Sequence, residues 1–170
     1  MRILGIDPGL THTGWGVIDS VHNRLSYVAG GRMSSDASMP LSVRLAMIFD
    51  SLSDVIRLYH PDEAAVEITF VNASNAASAL KLGQARGVAV LAPATHRIPV
   101  AEYAANVIKK SVVGVGHADK TQMMTMVKML LPRCAPDMTP DMADALAIAI
   151  THAHHIPSIG TERQKTCSHA

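Results

Sequence analysis

Four acidic side chains in this 170-residue chain are spaced as if to do chemistry together. Asp7 ends the apolar run Ile3-Leu4-Gly5-Ile6 and precedes the turn pair Pro8-Gly9. Glu67 lies near the end of a second such run, Ala64-Ala65-Val66. Asp141 and Asp144 follow Thr139-Pro140 and stand three residues apart, hence on one face of a helix's first turn. An Asx turn before Pro-Gly accounts for Asp7 taken alone. Complementing the positive end of a helix accounts for Asp141 or Asp144 taken alone, but that reason reaches neither Asp7 nor Glu67. A set of four carboxylates with no Cys or nearby His partner suits a hard, oxygen-seeking cation such as Mg²⁺ or Mn²⁺. Two such ions about 3.5–4 Å apart can clamp the attacking and leaving oxygens of a phosphodiester. The rival cluster, His152, His154 and His155, falls at a helix C-terminus, where cationic His is favoured anyway.

The elements that must position these acids follow from periodicity. Residues 2–7, 14–20 and 25–33 read as three strands whose short links carry turn residues, which favours antiparallel pairing. Pro40 suits a first helical residue, and Leu41, Leu45, Ile48, Leu52, Val55 and Ile56 recur at helical spacing over residues 41–58. A strand at 63–68 follows a full helix and is therefore expected to run parallel to a neighbour. If that neighbour is the first strand, Asp7 and Glu67 share the carboxyl edge of the sheet, where such sheets bind ligands. Residues 69–75 read as a loop with an aromatic, Phe70, near its start. Residues 76–92 are apolar nearly all round, as in a helix buried on more than one side. Within them Gly83 and Gly87 are four apart on one face, open to close approach by another backbone or by the helix's own sheet. A fifth strand is expected at 96–100, a helix at 102–110 and a glycine-containing loop at 111–118. Asp119-x-x-Gln122 has the capping-box pattern and opens a helix reaching about Leu131. Thr139 is an N-cap with Pro140 first in a last helix to about His154. Residues 1–155 thus form one domain, and 156–170 are expected to be a disordered tail.

Composition narrows the class. Nearly half the residues are hydrophobic, enough for one sizeable core. The net charge of +1 does not suggest a nucleic-acid binder, but the average hides a pattern that allows either a polyanion surface or an ordinary solvated face. Residues 81–133 hold 8 basic and 2 acidic side chains, against 5 and 8 in residues 1–80. A basic middle beside a carboxylate site can face a polyanion. Cys134 and Cys167 match no metal or redox spacing, which fits a reducing compartment. The apolar N-terminal run is broken at Asp7, too short for a signal peptide, and no run reaches membrane-spanning length. A soluble cytoplasmic protein is expected.

Several segments, in order, carry a resemblance. GIDPG at 5–9 with TGWGV at 13–17, Glu67-x-x-Phe70, SALKLGQARG at 78–87, YAANVIKKSVVGVG at 103–116, DKTQM at 119–123 and DMADALAIAITHAH at 141–154 are together similar to the RuvC family of Holliday-junction resolvases. The resemblance implies an α/β, ribonuclease H-like fold: a five-stranded mixed sheet, order 3-2-1-4-5, flanked by helices. It also implies a metal-dependent endodeoxyribonuclease that cuts four-way DNA junctions by paired symmetric nicks in recombination and repair, leaving 5′-phosphates, and two nicks in a two-fold substrate call for a homodimer. The family's metal-binding, catalytic acids fall on Asp7, Glu67, Asp141 and Asp144, with Mg²⁺ the expected ion, Mn²⁺ substituting, and two ions per site. Its aromatic wedge falls on Phe70, and its junction-contacting lysines on Lys109 and Lys120, the latter also a candidate for stabilising phosphate charge. A RuvA–RuvB branch-migration complex is the implied partner. The chain departs from the family pattern at Ile68, often polar, and in Val71–Asn75, which lacks a basic residue. Two other readings compete. Asp7-x-Gly9-x-Thr11 resembles the phosphate loop of actin-like and sugar-kinase-like ATPases, which close two such domains on nucleotide, whereas this chain has room for one. A non-catalytic junction-binding module would have no use for intact acids.

Overall fold

The computed structural model describes residues 1–22, 24–68 and 76–156. Five strands form one sheet: β1 (Arg2–Asp7), β2 (His12–Val21), β3 (Arg24–Ser34), β4 (Glu63–Ile68) and β5 (Val100–Ala104). Their order is β3-β2-β1-β4-β5, as the resemblance implies. β1, β2 and β3 pair antiparallel, while β4 runs parallel to both β1 and β5. Among the described residues five helices flank the sheet: α1 (Leu41–Tyr59), α2 (Ala76–Thr95), α3 (Ala105–Val113), α4 (Lys120–Leu130) and α5 (Pro140–His155).

Strand alternation divides the core between two faces. Leu4, Ile6, Val17, Ala64 and Val66 turn to one side, where Ile48, Leu52 and Ile56 of α1 and Ala85, Ala89 and Ala92 of α2 cover them. Ile3, Ile18 and Ala65 turn to the other, under Leu146, Ala149 and Ile150 of α5, with Ile108 of α3 and Val127 of α4 behind. By the same alternation Asp7 shares the α5 face with Ile3, and Glu67 shares it with Ala65.

α5 is buried from Met142 to His152 with one interruption, at Asp144, because it is wedged between the sheet and α3 and α4. Glycines let it lie that deep. A Cβ on Gly5 would stand 2.0 Å from the Ala145 carbonyl oxygen, and one on Gly14 would stand 2.0 Å from that of Asp141. The helix backbone therefore rests on the strands themselves.

Both predicted caps form. Asp119 accepts from the Gln122 backbone while the Gln122 side chain accepts from the Asp119 N–H, and Thr139 caps α5 with Pro140 in its first turn. Pro40 sits one position earlier than expected, as the cap of α1. The fifth strand and the helix after it lie later than the sequence predicts. α2 continues through Pro93 to Thr95, and backbone hydrogen bonds from His96, Arg97 and Ile98 back onto Pro93 and Ala94 form a turn, with Arg97 at φ 62. Pairing with β4 begins only at Val100, opposite Ala64, so 100–104 is strand and the helix starts at Ala105. α2 also departs from expectation: among the described residues it is buried on one side only. Leu80 and Leu91 are exposed, and no described residue lies within 4 Å of a Cβ placed on Gly83 or Gly87. Close packing of these glycines on their own sheet is thereby excluded.

Candidate active site

The first acid is held by the turn that follows it. Thr13 Oγ1 donates to the Gly9 carbonyl at 2.6 Å, closing the link between β1 and β2. Behind it the buried Arg44 of α1 donates from Nε to Ser35 Oγ at 2.9 Å and from Nη2 to Thr11 Oγ1 at 3.1 Å. Asp7 is thus fixed at the carboxyl end of β1, and Glu67 reaches the same edge because Ile3–Ile6 register against Glu63–Val66. α5 descends across that edge with Asp141 and Asp144 in its first turns, one over Gly14 and the other toward Asp7 and Glu67.

The electrostatics follow from this convergence. Burial, then the charges of Glu67, Asp144 and Asp141, push the Asp7 carboxyl up from 3.8 to about 7, with Lys120 opposing. Glu67 is raised by burial and by Asp144, against Lys109. Asp144 is raised chiefly by burial, while Lys120 and Lys109 pull it back. The acids therefore repel one another at Asp7 and Glu67, where the lysines offset only part of the effect, while at Asp144 the pull of Lys120 exceeds the push of Asp141 and burial alone keeps the carboxyl raised. A cleft of about 420 Å³ opens beside them, bounded by Glu67, Asp144, Lys109, Lys120, Asp119 and Met123. A second hollow of about 270 Å³ continues past Lys120 to Pro140 and Ala143.

The donor set fits a hard divalent cation: every candidate ligand is a carboxylate, and their mutual repulsion is what such an ion relieves. Among the described residues, no three His, Cys, Asp or Glu side chains are arranged as a ready ion cage. Asp141 is engaged elsewhere: Arg32 Nη1 lies 3.5 Å from its Oδ2. Arg32 is the neighbour that sequence reasoning missed. Its place comes from the β2–β3 register, which sets it opposite Gly14, and no motif marks it.

Six of the seven residues expected at the site come together here: Asp7, Glu67, Asp141, Asp144, Lys109 and Lys120. Phe70 lies outside the described residues, as does most of the predicted tail. The histidine cluster is engaged at the far end of α5. His152 is buried, with Nε2 2.7 Å from Glu63 Oε2 and Nδ1 2.9 Å from the Tyr103 hydroxyl. His154 meets Ser111 Oγ, and His155 meets the Thr151 carbonyl.

Comparison with known proteins agrees with this geometry. Residues 3–152 match the family model described as "Crossover junction endodeoxyribonuclease RuvC". A protein of that name from Rhodopseudomonas palustris strain TIE-1 is 62% identical over 155 residues, covering 91% of this chain and 88% of the relative. Another, from Afipia carboxidovorans, is 63% identical over 155 residues, covering 91% and 90%. Among solved structures, T. thermophilus RuvC in complex with Holliday junction substrate superposes with a TM-score of 0.82 at 32% identity, covering 90% of this chain and 93% of that one. The yeast mitochondrial Holliday junction resolvase Ydc2, at 12% identity and TM-score 0.63, shares the fold.

Proposed function

The chain belongs to the RuvC family, and we propose from that membership and from the acid cleft that it binds four-way DNA junctions and hydrolyses their backbone as a crossover junction endodeoxyribonuclease. The observation that carries the chemistry is the convergence of Asp7, Glu67, Asp141 and Asp144 at one edge of the sheet, where burial and neighbouring acids raise Asp7 and Glu67 and a divalent cation would relieve the crowded charge. The ATPase reading is not favoured: residues 3–152 match the RuvC family model, and the described residues form one such domain where those ATPases close two on nucleotide.

In this reading Asp7, Glu67, Asp141 and Asp144 hold the metal. Mg²⁺ is the proposed ion, with Mn²⁺ able to replace it and two ions per site; when bound it supplies a lowered water pKa and charge against the phosphate oxygens. Lys120, on the first turn of α4, faces Asp7 and Asp144 and opposes negative charge that grows on the phosphate. Lys109 lies on the same bank and contacts the DNA backbone, a contact that orients the substrate without reading sequence. Phe70 follows Glu67 by three residues and stacks on a base unpaired at the branch point. The products carry 5′-phosphates.

A junction needs two nicks in strands of like polarity, and a two-fold dimer offers two sites to a two-fold substrate. What supports a dimer is the outer stripe of α2. Leu80, Gly83, Gly87 and Leu91 lie on one face, opposite the buried Ala85, Ala89 and Ala92, and the two leucines are 66% and 51% exposed. We place the dimer contact there. A RuvA–RuvB branch-migration complex is the further proposed partner. No helix among the described residues is long and apolar enough to cross a membrane, and we propose a cytoplasmic location. The domain we assign is 1–155, with 156–170 a tail outside it.

The test is direct. A synthetic four-way junction and a linear duplex of the same sequence are incubated with the protein, with and without Mg²⁺, and the cuts are mapped. The proposal expects paired symmetric nicks in the junction only, and only with metal. Equal cutting of the duplex, or nicking in EDTA, would overturn it.

A further inference from the structure

Arg32 stands against an acid of the cleft, yet none of the roles assigned above uses it. It pairs with Gly14 across the β2–β3 ladder, so both residues face the same side of the sheet. That side is the one α5 covers: a Cβ on Gly14 would touch the Asp141 carbonyl, and one on Gly30, two residues before Arg32, would crowd Met142. The register therefore delivers the guanidinium to the first turn of α5, where it stays partly in solvent. Lys109 and Lys120 reach the acids from α3 and α4, across the cleft from β3.

Three features make the Arg32–Asp141 pair separable. It is a single contact at 3.5 Å, without the two parallel bonds of a fork-to-carboxylate pair. Its side chains are 40% and 29% exposed, so solvent screens it. A divalent cation and a guanidinium at one carboxylate repel each other, so a metal held by Asp141 would weaken the arginine's hold on it. A freed guanidinium at the rim of a phosphodiester site has an obvious acceptor, since its planar fork suits phosphate as well as carboxylate.

On the reading that this cleft binds a DNA junction, we infer that Arg32 is an exchangeable arm of the site. It pairs with Asp141 in the free protein and transfers to a backbone phosphate once metal and DNA are bound. Arg32 acts first as a temporary counter-charge and then as a phosphate-binding residue. By linkage, metal binding and phosphate capture by Arg32 favour each other.

Two measurements on Arg32→Ala and Arg32→Lys test this, and both substitutions fall at an exposed position. First, Mn²⁺ binding to the DNA-free protein is followed by its electron paramagnetic resonance signal. Arg32→Ala should bind Mn²⁺ about 1.5- to 5-fold more tightly, the range expected for loss of a competing exposed ion pair. Second, junction affinity is measured over a salt series with Ca²⁺ present, scoring only intact junction. Arg32→Ala should weaken binding and lower the log–log salt slope by about 1, the loss of one phosphate contact, and Arg32→Lys should keep the slope. An unchanged Mn²⁺ affinity, or an unchanged slope, in Arg32→Ala overturns the exchange. Wild-type protein is the control: its failure to bind the junction would sink the functional reading itself, a result distinct from normal wild-type binding with an unaltered variant.

Discussion

Neutralising Asp7 should stabilise the protein while destroying its activity. In the metal-free protein the Asp7 carboxyl is raised from 3.8 to about 7, first by burial and then by Glu67, Asp144 and Asp141. A folded-state value above the unfolded one means that the folded protein holds its proton more tightly. The stabilisation is complete below about pH 4 and is lost as pH rises toward 7, after which the cost is constant. At about 1.36 kcal/mol per unit, a rise of about 3 units is worth about 4 kcal/mol. Asp7 keeps some exposure to water, and solvent screening brings this to about 2 kcal/mol. Asp7→Asn removes the charge and keeps the shape. In EDTA at pH 8.5 it should therefore unfold about 2 kcal/mol harder than wild type, a rise of about 4–8 °C in Tm for a chain of this size. At pH 5 the gain should shrink to about a third, because only about the first of those 3 units has been lost there. Adding Mg²⁺ should reverse the order, since a ligand that binds the native state stabilises whichever protein can hold it. The variant should still bind junctions and not cut them. Thermal melts at the two pH values, with EDTA or Mg²⁺, decide the matter. A gain equal at both pH values, or a loss at pH 8.5, would refute the electrostatic account of this cleft.

Other predictions are more local. Phe70→Ala should impair junction distortion and cutting, whereas Phe70→Tyr keeps much of both, because stacking on an unpaired base is worth about 1–3 kcal/mol whatever the sequence; 2-aminopurine fluorescence at the crossover reports it, and equal unstacking in Phe70→Ala and wild type would remove the wedge role. Leu80→Asp should give a folded monomer by sedimentation equilibrium that nicks without coordination, since Leu80 is 66% exposed in the single chain and its loss costs the monomer core nothing; a surviving dimer would move the interface elsewhere. Gly5→Ala should cost at least about 1–3 kcal/mol, as overpacking does, because its methyl would meet the Ala145 backbone 2.0 Å away; denaturant unfolding measures it, and wild-type stability would show that α5 can lift off the sheet freely.

Much of this protein was legible in its sequence, for reasons that lie in local chemistry. Alternation and helical spacing are short-range signals, so β1 to β4, α1 and α5 lie within a few residues of where they are expected. Caps are shorter-range still: Asp119 with Gln122 and Thr139 with Pro140 each act within one turn, and both formed. The strand order and the gathering of Asp7, Glu67, Asp141 and Asp144 were expected because several ordered motifs resemble one family. What the sequence misplaced was β5. Its pairing starts where β4 offers a partner, at Val100, and Ile98 is equally apolar, so only the sheet could choose between them. The outer face of α2 is a similar case. Its apolar character is plain in the sequence, but whether Gly83 and Gly87 meet their own sheet depends on which stripe Ala85, Ala89 and Ala92 turn inward. Arg32 was not legible at all. An arginine in a strand carries no local sign of its partner, and the contact with Asp141, 109 residues away, exists only because the β2–β3 register and the glycines under α5 bring that strand and that helix to one edge.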